Sequence, residues 1–168
     1  MKIRLAHESD LAQLMAMGEA ADSAAHWTRQ QWLDIFHTQS PARLAWVAEQ
    51  VAEQTADEIT GQIAADRLAE SGVRGVGFLV GRNGGPEWEL ENIAVLPVFR
   101  RCGVGRELLS ALLRHARSLG AERILLEVRA SNQSAIRFYK LSGFEQCARR
   151  RDYYRAPEED ALILVHEL

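Results

Sequence analysis

The sequence predicts a mixed α/β fold, on three observations. Short apolar or alternating runs interleave with segments whose apolar residues recur every three or four positions, and glycines stand at several junctions between them. From Trp88 onward the order reads strand, helix, strand, helix, strand, strand. The 168 residues are enough to bury a core without disulfide or metal staples, and one domain over 1–168 is expected. Hydrophobic residues make up 47 % and charged residues 26 %, near the globular average, so neither disorder nor a fibrous architecture is suggested.

Taken in order, Ile3–Leu5 reads as a first strand, and Ser9 or Asp10 is placed to cap a helix carrying Leu11, Leu14, Met15 and Met17. Thr28 is the expected N-cap of a second helix, Arg29–His37, with Trp32, Leu33 and Phe36 on one face. Leu44–Ala48 is strand-like, whereas residues 52–69 are rich in Ala, Glu and Gln and predict a helical insertion. Val76–Val80 and Trp88–Val95 should be antiparallel neighbours joined through Asn83-Gly84-Gly85, whose residues tolerate the positive φ of a hairpin turn. A helix from Gly103 carries Leu108, Leu109, Leu112, Leu113 and Ala116 and should end at Gly120. Ile124–Val128 follows as a strand interrupted by Glu127. Ser131 or Asn132 then caps a helix with Ile136, Phe138 and Tyr139 that stops at Gly143, and Phe144–Arg150 and Ala161–Val165 supply two closing strands.

Charge is unevenly distributed. The net charge is −3, made of −7 over residues 1–96, +8 over 97–155 and −4 over 156–168. Two differently charged faces are one reading, uneven solvated charge the other. Glu8 and Asp10 interrupt any secretory apolar segment and no stretch is long enough to span a membrane, so a cytoplasmic location is expected. Cys102 and Cys147 lack Cys-x-x-Cys spacing; two reduced thiols and no metal are expected.

The most informative stretch runs from Ile93 to Arg106, where a strand feeds a glycine turn that opens a helix. Backbone N–H groups at a helix start, aided by the dipole, bind phosphate oxygens. Gly103 and Gly105 let the main chain approach a diphosphate, and Arg101 and Arg106 add charge. The Gly-Lys-Ser/Thr of a nucleotide triphosphate loop and the third glycine of a dinucleotide fingerprint are both missing, which disfavours ATP and NAD and favours CoA.

Residues 90–144 resemble the acetyl-CoA core of the GNAT superfamily, whose motif Gln/Arg-x-x-Gly-x-Gly/Ala is matched by Arg100 through Gly105. The runs Leu90-Glu91-Asn92-Ile93-Ala94-Val95, Leu126-Glu127-Val128-Arg129-Ala130-Ser131-Asn132, Phe138-Tyr139 and Ser142-Gly143-Phe144 are similar to the RimI-type ribosomal-protein-alanine N-acetyltransferases. So is the tail, Tyr153-Tyr154 followed by Glu159-Asp160-Ala161. The resemblance implies a mostly antiparallel, splayed sheet flanked by helices, and acetyl-CoA as co-substrate. It further implies an acceptor that is the N-terminal amine of a protein with Ala or another small first residue, a ribosomal protein for example, attacked directly in a ternary complex; quaternary state is not read from these residues, and a monomer is merely preferred.

By the same resemblance, the backbone of Ile93, Ala94 and Val95 and the turn Arg101, Cys102, Gly103, Val104, Gly105 and Arg106 bind the cofactor, with the strand N–H stabilising a developing oxyanion. Ile93 and Val95 can equally pack in the core. An N-terminal amine titrates near about 7.7–8.0, so a modest base suffices to neutralise it. Glu127 is the candidate, a carboxylate that its apolar run would desolvate and whose pKa would rise; a surface-facing Glu is the alternative. Tyr139 is the candidate acid toward the departing thiolate, sharing a helix face with Ile136 and with Asn132, which is expected to touch the cofactor arm. A half-buried aromatic with a wet hydroxyl is the bland alternative for Tyr139.

Glu89 and Glu91 should point to one face, either to attract a cationic acceptor or merely to be solvated. Tyr153 and Tyr154, on a loop between the last strands, would line the peptide slot opposite Trp27, while Trp32 reads as core. Three departures from the RimI pattern bear on the acceptor: the 52–69 insertion, His26 where Pro is favoured, and a shortened Tyr153–Glu159 loop. A small-molecule amine or a lysine side chain is the alternative acceptor. A CoA-sensing or RNA-binding module using Arg149-Arg150-Arg151 is a more distant alternative, without any aromatic RNA-reading motif to support it.

Overall fold

A computed structural model describes residues 1–21, 25–37, 42–50 and 75–168; the helical insertion expected at 52–69 lies outside the described residues. The elements are β1 (Lys2–Leu5), α1 (Leu11–Ala20), α2 (Arg29–His37), β2 (Arg43–Glu49), β3 (Gly75–Gly84), β4 (Glu87–Val95), α3 (Val104–Ser118), β5 (Arg123–Arg129), α4 (Gln133–Leu141), β6 (Glu145–Arg155) and β7 (Glu158–Glu167). They build a seven-stranded sheet in the order β1-β2-β3-β4-β5-β7-β6. Every pairing is antiparallel except β4 with β5, which α3 connects, as a parallel neighbour requires a crossover.

The two faces of the sheet carry separate cores. On one, α1 and α2 bring Leu14, Met17, Trp32 and Ile35 onto Val47, Phe78 and Val80. On the other, α3 and α4 bring Leu108, Leu109, Leu112, Ile136 and Tyr139 onto Trp46, Leu79, Trp88, Ile124 and Leu126. Leu108, Leu109 and Leu112 recur at helical spacing and are at most 1 % exposed, so each contributes about 1.5–3 kcal/mol by burial. The helix stops where Gly120 takes a φ of 79°, as the sequence led us to expect.

Local chemistry explains where other boundaries fall. Thr28 and Gln31 cap α2 reciprocally: the Gln31 amide donates to Thr28 Oγ1 and the Thr28 amide to Gln31 Oε1. Asp10 stands at the N-cap of α1, but its carboxylate makes no cap bond to that helix. It is taken instead by the fork of Arg4 at 2.6 and 2.8 Å and by the His7 amide. The β3–β4 turn is Gly85-Pro86 rather than Asn83-Gly84-Gly85, since Gly84 pairs with Glu87. Pro86 offers no N–H to the ladder, Gly85 takes a φ of 84°, and Asn83 Oδ1 accepts the Gly85 amide.

A larger correction concerns the last hairpin. Tyr153 and Tyr154 lie on β6, not on a loop; the strands run on to Arg155 and Glu158, and the turn is Ala156-Pro157. The aromatic pair favours the extended strand, and a proline without an N–H confines the reversal to the two residues after Arg155.

Candidate active site

The sheet opens in its middle. β4 and β5 pair from Glu87–Arg123 to Leu90–Leu126 and then separate, although β4 continues to Val95 and β5 to Arg129. Beyond that point, among the described residues, β4 is bonded only to β3, and β5 only to β7, so Ile93–Val95 present a backbone edge without a described strand partner. The separation begins at a bulge: Val80 pairs with Asn92 and Gly81 with Leu90, leaving Glu91 as an extra residue. One extra residue exchanges the faces of everything after it. Trp88 and Leu90 pack toward α3, whereas Ala94 packs toward α1 and α2 and Ile93 and Val95 turn toward α3.

The turn after β4 stands at the mouth of this opening. Arg100 Nε donates to the Val95 carbonyl at 3.1 Å, so the arginine of the motif ties the turn to the strand end. Arg101 and Gly103 have φ of 65° and 84°, and a Cβ on Gly103 would meet nothing within 4 Å. Backbone conformation, not crowding, therefore calls for that glycine. Glu107 N bonds to Gly103 O at 3.1 Å, which leaves the amides of Val104, Gly105 and Arg106 at the start of α3 without an intrahelical acceptor. A Cβ on Gly105 would lie 3.5 Å from the Phe138 ring and 3.9 Å from Val95 Cγ2, so this turn closes against both α4 and the open edge of β4. Arg101 and Arg106 are exposed at its rim, as is Cys102, whose thiol sits 3.5 Å from the Arg100 carbonyl. Asn132 caps α4, accepting the Ala135 amide at 3.1 Å.

On the α1–α2 side the opening is lined by ion pairs. Glu127 alternates with buried Leu126 and Val128 and is 24 % exposed; Arg150 Nη1 meets its Oε1 at 2.5 Å, and the Glu127 carboxylate pushes the nearby Tyr153 phenol above the ordinary tyrosine value. The carboxylate expected to sit desolvated in an apolar run thus has a guanidinium partner brought from two strands away, because β6 is long enough to reach it. Arg129 lies 4.0 Å over the Tyr154 ring and pairs with Glu159; Arg150 lies 5.3 Å from the Tyr153 ring centroid. Glu91 is held by Arg43 at 2.6 and 3.0 Å, and Glu89 by Arg82. These two acids share a face, and both of the options weighed for them from sequence give way to a third, neutralisation by neighbouring arginines.

Trp27, half-buried, packs 5.1 Å from Trp32 and 6.0 Å from the Arg43 guanidinium, while Trp32 is buried in the core. Asn92, 3 % exposed, bonds the Ala25 amide and carbonyl at 3.2 Å each and so fastens the chain leading to Trp27 to the strand just past the bulge. Tyr139 comes from the opposite side, buried against Phe138 and Phe144. Burial, with a smaller contribution from nearby Tyr154, pushes its phenol well above the ordinary tyrosine value, so it stays a proton donor. Sequence reasoning gave no role to Asn92, Arg129 or Asp160, and placed Arg150 only in the distant RNA-binding alternative, never beside Glu127. The adjacency of Glu159 and Asp160 and the three consecutive arginines were the only signals for Asp160 and Arg150.

The Acetyltransferase (GNAT) family model matches residues 12–144. The chain is 45 % identical over 81 residues to the ribosomal protein bS18-alanine N-acetyltransferase of Salmonella typhimurium, covering 47 % of this chain and 55 % of that protein. It is 38 % identical over 117 residues to an uncharacterized protein of Mycobacterium leprae, covering 70 % of this chain and 28 % of that one. The match therefore spans about half or less of these relatives' lengths. The crystal structure of the ribosomal-protein-S18-alanine N-acetyltransferase from Escherichia coli superposes with a TM-score of 0.77 at 26 % identity, covering 99 % of this chain and 92 % of that one.

Proposed function

This chain belongs to the acetyltransferase (GNAT) family, and from that premise we propose that it moves an acetyl group from acetyl-CoA to the N-terminal amine of a protein beginning with Ala or another small residue, a ribosomal protein among the acceptors. The reading rests on one observation above all: the sheet opens between β4 and β5 with Glu127 on one side, Tyr139 on the other and the glycine turn at its mouth. Similarity to bS18-alanine acetyltransferases supports the acceptor class. No helix of the described residues is long and apolar enough to cross a membrane, and we take the reaction to be cytoplasmic.

Each step then has a residue. Amides of Val104, Gly105 and Arg106 receive the diphosphate of the donor, with Arg101 and Arg106 adding charge and Cys102 lying in the same turn. Asn132 borders the donor arm. The free edge of Ile93, Ala94 and Val95 offers N–H groups to the acetyl carbonyl as negative charge develops there. Trp27, Tyr153 and Tyr154 flank the acceptor, while Glu89 and Glu91, neutralised by Arg82 and Arg43, shape its wall. Glu127, paired with Arg150, takes the proton of the attacking amine. As the N–C bond forms and the C–S bond breaks, Tyr139 protonates the departing thiolate. No acyl-enzyme is needed, and Cys102, at the phosphate end, is in the wrong place to form one.

Incubation with acetyl-CoA and peptides starting Ala, Ser, Met or Asp, plus one with a blocked N-terminus and a free lysine, tests this by thiol release and peptide mass. Acetylation at the α-amine of the Ala or Ser peptide is expected. Transfer only to the lysine, whose amine titrates near about 10.4 and is harder to neutralise, would replace this acceptor by the other. A rise in melting temperature with acetyl-CoA but not with ATP or NAD is expected in parallel.

A further inference from the structure

β6 and β7 are out of step in one place. Arg150 pairs with Ala161 and Tyr154 with Glu159, so Arg151, Asp152 and Tyr153 together face Asp160 alone. Such a bulge must find partners for the backbone groups it removes from the ladder, and it bends the strand that carries it. Asp152 takes a φ of 49°, which a residue with a short polar side chain tolerates better than most but which still needs holding. Asp160 does the holding. Its Oδ1 accepts the Asp152 amide at 2.9 Å and its Oδ2 the Arg149 Nε at 2.5 Å, and its side chain is only 18 % exposed. On either side of this staple lie the two β6 side chains that converge on Glu127, namely Arg150 and Tyr153.

We propose that Asp160 is a positioning residue for catalysis: by clamping the Asp152 amide and the Arg149 guanidinium it fixes the β6 bulge in the one form that sets Arg150 and Tyr153 on the Glu127 carboxylate. Its neighbour Glu159 does the matching task toward β5, accepting the Ser131 amide and pairing with Arg129, so that two consecutive β7 residues tie β6 and the β5–α4 junction to one strand. The inference rests on the reading of Glu127 as the proton acceptor. The charged and titratable groups around that carboxylate are Arg150, Tyr153 and Tyr154 from β6, Arg129 on its own strand and Glu159 from β7, with Tyr139 of α4 beyond Tyr154. Of the cations among them, Arg150 alone is paired to Glu127 and depends on the bulge, whereas Arg129 is tied to Glu159.

The test is kcat and both KM values for the full chain with an N-terminal alanine peptide. Asp160→Ala is expected to lower kcat by about tenfold to a hundredfold, with KM for acetyl-CoA unchanged. Arg150→Gln should lower kcat likewise, and combining the two should lower it no further. Asp160→Asn, which keeps an acceptor for the Asp152 amide while losing the charge on Arg149, should give a smaller loss and decides the matter if the alanine variant does not fold. Asp152→Gly, which relieves the positive φ, should restore part of kcat in the Asp160→Ala background. A folded Asp160 variant with unchanged kcat, or additive losses in the double variant, overturns the proposal. Full activity in Glu127→Gln would instead overturn the reading beneath it, which makes the two failures distinguishable.

Discussion

The two walls of the cleft are made of different material. The wall proposed for the donor is main chain: a strand edge at Ile93–Val95 that is unpaired among the described residues and the amides that open α3, shaped by a glycine with a φ of 84°. The wall proposed for the acceptor is side chain: Glu127 with Arg150, Glu159 with Arg129, Glu91 with Arg43 and Glu89 with Arg82, each partner drawn from another strand. A main-chain site tolerates wide variation in its side chains provided the local conformation survives. A side-chain network fails member by member, because a buried charge without its partner is costly.

The sharpest way to break the comparison is to remove the groups proposed to transfer protons. Glu127→Gln and Tyr139→Phe are each expected to slow turnover on the order of 10²–10⁴-fold while leaving acetyl-CoA affinity nearly unchanged. Steady-state rates and a direct binding measurement check both. Unchanged rates would strip these residues of their roles and leave the donor wall untouched.

Next in size are the glycines. Gly105 is in a helix, and a methyl there would make ordinary contact with Phe138 at 3.5 Å, so Gly105→Ala should leave the melting temperature unchanged or slightly higher. If the main chain approaches the diphosphate, the same methyl should weaken acetyl-CoA binding about tenfold. Gly103→Ala must accept a left-handed residue at a strain of about 1–2 kcal/mol and should lose stability as well as affinity. Calorimetric titration and melting curves separate the two; equal behaviour of the variants would mean that the turn contributes shape and no contact.

That difference in material decides what could be read in advance. The strand–glycine–helix passage from Ile93 to Arg106 is local, and its periodicity and turn residues were enough to place β4, α3 and the turn between them. The bulge at Glu91 was not legible, because it is a register shift against β3 and no residue in Leu90-Glu91-Asn92 announces it. Nor was the pairing of Arg150 with Glu127, which depends on how far β6 extends and on its own bulge. Tyr153 and Tyr154 were assigned to a loop for the same reason: the position of a hairpin turn follows from pairing across the sheet, and a run of charged residues with few apolar ones conceals an exposed edge strand.

Trp27 offers a gentler test of the acceptor wall. It rests on Trp32 at one side, lies 6.0 Å from the Arg43 guanidinium and is half-buried. Trp27→Ala should raise KM for the peptide roughly 2- to 10-fold, the worth of one aromatic contact, without changing kcat or KM for acetyl-CoA. A loss confined to kcat would mean that the ring orders catalytic groups and makes no contact with the acceptor.

The smallest expected effect on turnover comes from an ion cluster outside both walls, where Arg4 joins Asp10 and Glu49 and fastens β1 to the start of α1. The Arg4 guanidinium holds the Asp10 carboxyl at about 2, below its ordinary 3.8. A depressed carboxyl stabilises the fold above its unfolded value, and that stabilisation is lost as pH falls from about 4 through about 2, an effect of about 2 kcal/mol. Asp10→Asn should therefore melt lower than the wild type at neutral pH and converge with it near pH 2, while kcat and both KM values stay the same at temperatures where each is folded. Acid loss of activity above that window then reports the cleft, and acid loss of structure within it reports this cluster. A melting gap that stays constant down to pH 2 would show that Asp10 acts through packing or neutral hydrogen bonds and not through its charge.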